Sequence, residues 1–132
     1  DPTARTTRRL VDYDDVVGFI KDFLAERISF LVCLGFPKEK IIIDPGMGLF
    51  VSSDPKYSFE IIERLSEFKE LGCPILVGIS RKLFLGVPKE ERDAASAAWS
   101  MKAVRNGAAI VRVHNVELMR KTLDAKGGKA DE

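Results

Sequence analysis

The amino-acid sequence predicts an α/β fold with three parallel strands and about four helices. Segments in which apolar residues recur every three or four positions alternate with short apolar runs. The order is one helix, followed by strand and helix three times, which is typical of right-handed β/α units on one sheet. The apolar runs are uninterrupted, as in parallel strands that are covered on both faces.

The composition is typical of one globular domain and excludes several classes of partner. The chain has 132 residues, of which 45% are apolar and 31% are charged. The net charge of +1 gives no bulk electrostatic reason to bind nucleic acid or an acidic membrane. We find no signal peptide, and no apolar run approaches the length of about 20 residues that spans a membrane. Any anion site must therefore be local.

The first helix is predicted from Tyr13, after a polar and basic loop at residues 1–12. Asp14 and Asp15 are expected in its first turn, where the helix dipole favours carboxylates. Gly35 is expected to end it. The apolar stripe of this helix consists of Val16, Val17, Ile20, Phe23, Leu24, Ile28, Leu31 and Leu34.

The remaining elements follow in regular alternation. Gly72 is expected to close the second helix, Gly107 to cap the third, and Asn115 to open the last. The predicted strands cover residues 40–43, 74–78 and 108–111, and the later helices cover residues 57–71, 93–106 and 116–123. Residues 13–124 are therefore predicted to form a single partial domain, followed by a flexible polar tail at 125–132.

Both cysteines lie inside apolar segments. No CxxC pair, second histidine or metal-ligand cluster accompanies Cys33 and Cys73. We therefore predict two buried thiols in a reducing cytoplasm.

Polar residues follow all three predicted strands. Asp44 ends the first, the triplet at residues 80–82 (Ser-Arg-Lys) ends the second, and Arg112 and His114 end the third. The carboxyl ends of parallel strands meet at one edge, where ligands of α/β folds bind. The sequence therefore predicts a ligand site at this edge.

The end of the third strand has the chemistry of an anion site. Arg112 and His114 share parity along the strand, and Asn115 then opens a helix whose free N–H groups favour an anion. This combination suits a phosphate or pyrophosphate. The alternative is that Arg112 pairs with an acidic neighbour and His114 is a satisfied interface histidine, and the residues alone leave both interpretations open.

Asp44 also has two interpretations. Its carboxylate can bind a pair of N–H groups on a heterocycle, and the glycines of the DPGMG run let the backbone approach a flat ring. Alternatively, it accepts backbone N–H bonds from Gly46 or Gly48 and caps the loop, which the residues alone favour.

At the end of the second strand, Ser80 and Lys82 share parity and are expected to face the site, whereas Arg81 is expected to point aside. The alternative is that Ser80 caps a helix and that the basic residues form a solvated turn.

Three stretches together resemble the dihydropteroate synthase family. They are IIIDPGMG, ELGCPILVGISRKLFLG and GAAIVRVHNV, in this order, within a resemblance that covers residues 13–124. The resemblance implies the C-terminal part of a TIM (β/α)8 barrel, which needs about 250 residues when complete. We therefore expect this chain to be the C-terminal half of such an enzyme.

The family resemblance also implies an activity and roles for the site residues. The family is a cytoplasmic transferase of folate biosynthesis that condenses hydroxymethyl-dihydropterin pyrophosphate with p-aminobenzoate and releases pyrophosphate. Mg²⁺ is implied, with its protein ligand outside this chain. Asp44 would bind the pterin N–H edge, Lys82 the pterin carbonyl and ring face, Ser80 the p-aminobenzoate, and Arg112 and His114 the pyrophosphate. Lys82, Arg112 and His114 would be catalytic, and the further substrate-binding residues would be Gly46, Gly48, Leu49, Phe50, Arg81 and Asn115.

The same resemblance implies assembly, and it leaves alternatives. The family dimerises through its C-terminal helices, so Trp99 on the third helix is expected at an interface. Either Leu49 or Phe50 would line the p-aminobenzoate pocket. We expect the isolated chain to be inactive. The alternatives are a pterin-binding methyltransferase-like domain, which needs no pyrophosphate site, and a non-catalytic oligomerising remnant.

Overall fold

The computed structural model describes residues 12–79 and 86–130, which form helices packed on a small parallel sheet. The α-helices are α1 (Val16–Cys33), α2 (Pro55–Glu63), α3 (Arg92–Arg105) and α4 (Val116–Ala130), and the strands are β1 (Leu76–Val77) and β2 (Ile110–Val111). Short 3₁₀ segments cover Lys38–Lys40, Gly48–Phe50, Leu65–Leu71 and Lys89–Glu91. Within these residues, no helix is long and apolar enough to cross a membrane.

The sheet is parallel, as predicted, but among the described residues it has two strands of two residues each and not the three longer strands expected. β1 pairs with β2 in parallel register, with Leu76 opposite Ile110. The segment predicted as a strand at 40–43 contributes only a parallel bridge from Ile43 to Ile75. The prediction of a full strand there is wrong because the Lys40 N–H donates to the Pro37 carbonyl and closes a turn.

Two predicted helix boundaries also differ from the structure. Asp15 is the N-cap of α1 and accepts the Gly18 N–H at 3.1 Å, so the acidic pair precedes the first turn and does not lie in it. The second helix predicted at 57–71 begins earlier, at Pro55, and changes to a 3₁₀ segment after Arg64. Gly72 ends that segment with a φ of 75°, as predicted.

The end of α3 and the start of α4 follow the sequence closely, whereas the end of α4 does not. Gly107 follows α3 with a φ of 120°, a conformation that favours glycine. Asn115 caps α4 as predicted, because its Oδ1 accepts the Leu118 N–H at 3.0 Å. α4 includes residues 125–130, which the sequence had assigned to the tail.

The core lies between the sheet and the inner faces of α1, α2 and the 3₁₀ segment that follows α2. Fully buried side chains include Val17, Ile61, Ile62, Leu65, Phe68, Ile75, Val77 and Ile79. Burial of one such side chain stabilises the fold by about 1.5–3 kcal/mol. Cys73 is buried as predicted, but Cys33 is exposed at the end of α1 and that prediction is wrong. The reason is that the outer face of α1 is apolar yet uncovered, with Phe19, Phe23 and Phe30 all exposed.

An ion-pair cluster joins α1 to α2. The Arg64 guanidinium lies 2.9 Å from Asp15 Oδ1, 2.8 Å from Glu60 Oε2 and 2.7 Å from Glu67 Oε2. The Gly18 N–H and then Arg64 lower the pKa of Asp15, and the hydrogen bond from Arg64 lowers the pKa of Glu67. These contacts raise the pKa of Arg64. The contribution of this cluster to the packing of α1 against α2 therefore depends on pH.

Acid should destabilise the fold through this cluster. The ordinary pKa values of Asp15 and Glu67 are 3.8 and 4.5, and both are depressed in the folded state. The stability they contribute is present above these values and is lost as the pH falls through the folded-state pKa. We expect the melting temperature of Arg64→Met to fall less steeply below pH 4.5 than that of the wild type. Melting curves measured across this pH range test the expectation. Arg105→Met, at an exposed position of α3, is the control. Parallel pH profiles for Arg64→Met and the wild type would contradict the expectation.

Candidate functional site

Asp44 begins the loop that follows the Ile43 bridge, at the carboxyl edge of the sheet. The Gly46 N–H donates to Asp44 Oδ1 at 2.9 Å, so the loop-capping contact expected as the alternative is present. Gly48, the other expected donor, bonds to Ser58 Oγ at 2.8 Å instead. The φ angles of Gly46 and Gly48 are 90° and 64°, which L-residues rarely adopt. Capping does not hide the carboxylate, because Asp44 is exposed.

Arg112 follows β2 at the same edge. Its N–H donates to the Val77 carbonyl at 2.9 Å, which extends the parallel ladder by one bond. Its guanidinium lies over Gly78, where an added Cβ would be 2.6 Å from Nη2. Gly78 therefore allows the guanidinium to lie against the end of β1.

One cavity of about 350 Å³ lies between the loop after Ile43 and the carboxyl ends of β1 and β2. Its lining consists of Asp44, Pro45, Gly46, Met47, Phe50, Gly78 and Arg112. The Asp44 carboxylate and the Arg112 guanidinium are the charged groups on this lining, among the residues described. The cavity can therefore offer a hydrogen-bond acceptor and an anion-binding cation to the same ligand.

A second cavity of about 150 Å³ shares Asp44, Pro45 and Phe50 with the first. Its remaining lining is mostly apolar and aromatic: Tyr13, Phe19, Ile20, Phe23, Leu24 and Val51. Phe50 lies on both linings, whereas neither includes Leu49. The geometry favours Phe50 as the aromatic contact of a flat ligand.

Two further predicted residues that the structure describes, His114 and Asn115, do not line the larger cavity. His114 is exposed at the third strand end, and the lining of the larger cavity does not include it. Asn115 caps α4, and its Nδ2 lies 3.4 Å from Asp93 Oδ2. Ser80, Arg81 and Lys82 lie outside the described residues.

The described residues do not offer a metal site. No group of three or more histidine, cysteine, aspartate or glutamate side chains converges within them. The lining of the larger cavity includes one carboxylate, that of Asp44, in the part of the chain that the structure describes. Asp44 by itself would not hold the Mg²⁺ that the family resemblance implies, which would need further ligands such as substrate phosphates.

Sequence reasoning missed four residues that shape the site. Tyr13 and Met47 line cavities, Gly78 accommodates Arg112, and Ser58 holds the Gly48 N–H. Gly78 could have been found, because a glycine that ends a strand often marks a close approach. The other three depend on tertiary contacts that their local sequence does not indicate.

Comparisons with known proteins agree on one family. The family model described as a pterin binding enzyme matches residues 1–114. The chain is 35% identical over 120 residues to the dihydropteroate synthase of Synechocystis, covering 87% of this chain and 41% of that enzyme. A solved structure of dihydropteroate synthase from Xanthomonas albilineans with 4-aminobenzoic acid has a TM-score of 0.85 and 33% identity, over 91% of this chain and 45% of that one. The structure of the same enzyme in complex with 7,8-dihydropteroate has a TM-score of 0.84, and the match covers 90% of this chain and 47% of that one. The chain therefore spans less than half the length of these relatives.

Proposed function

The chain belongs to the pterin-binding enzyme family, and from this premise we propose that it forms the C-terminal, substrate-binding part of a dihydropteroate synthase. The parent activity is the condensation of hydroxymethyl-dihydropterin pyrophosphate with p-aminobenzoate, in folate biosynthesis. The β/α order and the likeness to solved dihydropteroate synthases support the last units of a (β/α)8 barrel. We place the enzyme in the cytoplasm.

The observation that carries this proposal is the shared cavity of Asp44 and Arg112. The sequence separates these residues widely, and the parallel sheet brings their strand ends to one edge. A pterin has adjacent N–H groups that a carboxylate can accept, and its pyrophosphate needs a cation. The flat walls of Phe50 and the glycine backbone suit an aromatic bicycle.

In the proposed reaction, the protein positions two substrates and stabilises charge. Asp44 holds the pterin edge, and Arg112 takes the pyrophosphate as the bond between the methylene carbon and the phosphate oxygen breaks. The p-aminobenzoate nitrogen then attacks the methylene carbon and loses a proton. Phe50 would lie along the aminobenzoate ring. Lys82 and Ser80 are proposed for the pterin carbonyl and the aminobenzoate, and His114 for the pyrophosphate, on family resemblance alone.

A pterin-binding methyltransferase-like domain is the second candidate. The family description, pterin binding, is compatible with it. The Arg112 guanidinium on the cavity lining favours the synthase, because methyl transfer expels no pyrophosphate.

Pterin binding tests the proposal directly. Pterin fluorescence is measured while the protein is added. We expect saturable quenching with the wild type and no quenching with the Asp44→Asn variant. Identical responses from the wild type and this variant would contradict the proposed site.

We further propose that the chain forms a homodimer through its C-terminal helices and makes no dihydropteroate by itself. A groove between α3 and α4 is lined largely by alanines, including Ala94, Ala97 and Ala98, which allow close helix approach. Trp99 packs against Phe59 at 4.7 Å between ring centroids, and it is proposed at the rim of this interface. The exposed phenylalanines of α1 also favour association, because large apolar patches are seldom left uncovered in monomers.

Light scattering and an activity assay test this assembly. We expect the mass of a dimer from the purified chain, and no product from pterin pyrophosphate and p-aminobenzoate. A well-folded monomer at micromolar concentration would contradict the first expectation, and product formation by the chain alone would contradict the second.

A further inference from the structure

The loop from Asp44 to Val51 carries two of the proposed binding groups but has little structure of its own. Its regular part is the single 3₁₀ turn Gly48–Phe50. Gly46 and Gly48 adopt positive φ angles, so the backbone direction changes sharply on either side of Met47. A loop of this kind needs contacts from outside to hold Asp44 and Phe50 in place.

Ser58 provides one such contact from α2. Its side chain is 1% exposed, and its Oγ accepts the Gly48 N–H at 2.8 Å. Gly48 is itself buried, so without Ser58 its N–H would lose its acceptor in a site that water does not reach readily. This bond fixes the middle of the loop to a helix that packs on α1 and α3.

Tyr13 provides the second contact from the other side. Its hydroxyl donates to the Val51 carbonyl at 2.7 Å, at the end of the loop. Tyr13 is held in turn by Tyr57, which accepts the Tyr13 N–H at 3.0 Å and meets the Tyr13 ring edge-on at 5.1 Å. Tyr57 and Ser58 are neighbours on α2, so both loop contacts trace to the same turn of that helix.

We propose that Ser58 and Tyr13 are positioning residues that set the loop so that Asp44 and Phe50 face the cavity together. This inference rests on the proposed function for its ligand, a pterin. Ser58 acts through Gly48 and is not part of the larger cavity's lining. Tyr13 acts through Val51 and adds its ring to the second cavity.

Ser58→Ala and Tyr13→Phe each remove one hydroxyl and leave the packing volume almost unchanged. Ser100→Ala is the matched control, because Ser100 is also 1% exposed and its Oγ has no hydrogen-bond partner in the described structure. Ser58→Thr keeps the acceptor and should restore the wild-type behaviour. We expect pterin affinity to fall about fivefold to tenfold in Ser58→Ala and in Tyr13→Phe, as for loss of one buried hydrogen bond, and to be unchanged in Ser100→Ala.

Amide hydrogen exchange supplies a readout that needs no ligand. In Ser58→Ala we expect faster exchange of the Gly48 amide and of the Gly46 amide, which donates to Asp44 Oδ1. The exchange of the core amides of α1 should be unchanged. Unchanged exchange at both glycines would overturn the proposal, whether or not pterin binds. If pterin binds, wild-type affinity in both Ser58→Ala and Tyr13→Phe would also overturn it. Failure of the wild type to bind pterin, with exchange altered as expected, would count against the proposed function and leave the positioning role standing.

Discussion

Replacing Asp44 with asparagine should abolish pterin binding while the fold stays intact. The substitution exchanges one carboxylate oxygen for an N–H donor, which faces the donors of the pterin edge. The charged hydrogen bond that is lost costs about 1.5–3 kcal/mol, and the new N–H group would face another donor without an acceptor, so we expect no saturable binding at micromolar pterin. The fold should survive because Asp44 is exposed and an asparagine Oδ1 can still accept the Gly46 N–H.

Asp54→Asn is the matched control for this variant. Asp54 Oδ1 accepts the Lys56 N–H at 3.1 Å, a local bond two residues ahead like that of Asp44, and neither cavity lining includes Asp54. Pterin titration with circular dichroism on both variants separates the two roles of Asp44. If Asp44→Asn unfolds and the wild type never binds pterin, loop capping is the whole role of Asp44.

Replacing Arg112 with alanine should weaken pyrophosphate binding by about 1.5–3 kcal/mol, the cost of a charged hydrogen bond. That is roughly a 10-fold to 150-fold rise in the dissociation constant. Arg112 is exposed, and its guanidinium lies over Gly78 at the cavity, so little core packing is lost with it. We also expect a sulfate, phosphate or pyrophosphate ion to be found in crystals near Arg112, His114 and the first N–H groups of α4.

Arg105→Ala is the control for general charge, because Arg105 is exposed near the end of α3 and neither cavity lining includes it. The dissociation constant for pyrophosphate is measured for both variants at one salt concentration, and only Arg112→Ala is expected to raise it. Equal affinities for Arg112→Ala and wild type would remove Arg112 from the anion site.

The sequence was sufficient to predict that Asp44 and Arg112 lie at the same edge of the sheet, whereas His114, predicted there as well, does not line the larger cavity. Asp44 and Arg112 each follow a short apolar run, and the carboxyl ends of parallel segments converge. Helix boundaries marked by local chemistry were also predictable: Gly72 and Gly107 have positive φ, and the Asn115 side chain bonds within its own turn.

Features that depend on distant partners were not predictable. The change from α2 to a 3₁₀ segment occurs at Arg64, whose guanidinium reaches Asp15 on a different helix. The loop contacts of Ser58 and Tyr13 join residues that are 10 and 38 positions apart. The exposure of Cys33 depends on what covers α1, which its local apolar sequence does not reveal.

Whether Asp44 and Arg112 bind one substrate is decided by calorimetric titration of a hydroxymethyl pterin and of pyrophosphate into the purified chain. We expect both ligands to bind, Asp44→Asn to remove only the pterin signal, and Arg112→Ala chiefly to weaken the pyrophosphate signal. Tight pterin binding without pyrophosphate binding would contradict the synthase assignment and favour the methyltransferase-like alternative. Absence of both signals from the folded wild-type chain would contradict a ligand-binding role and favour the oligomerising remnant.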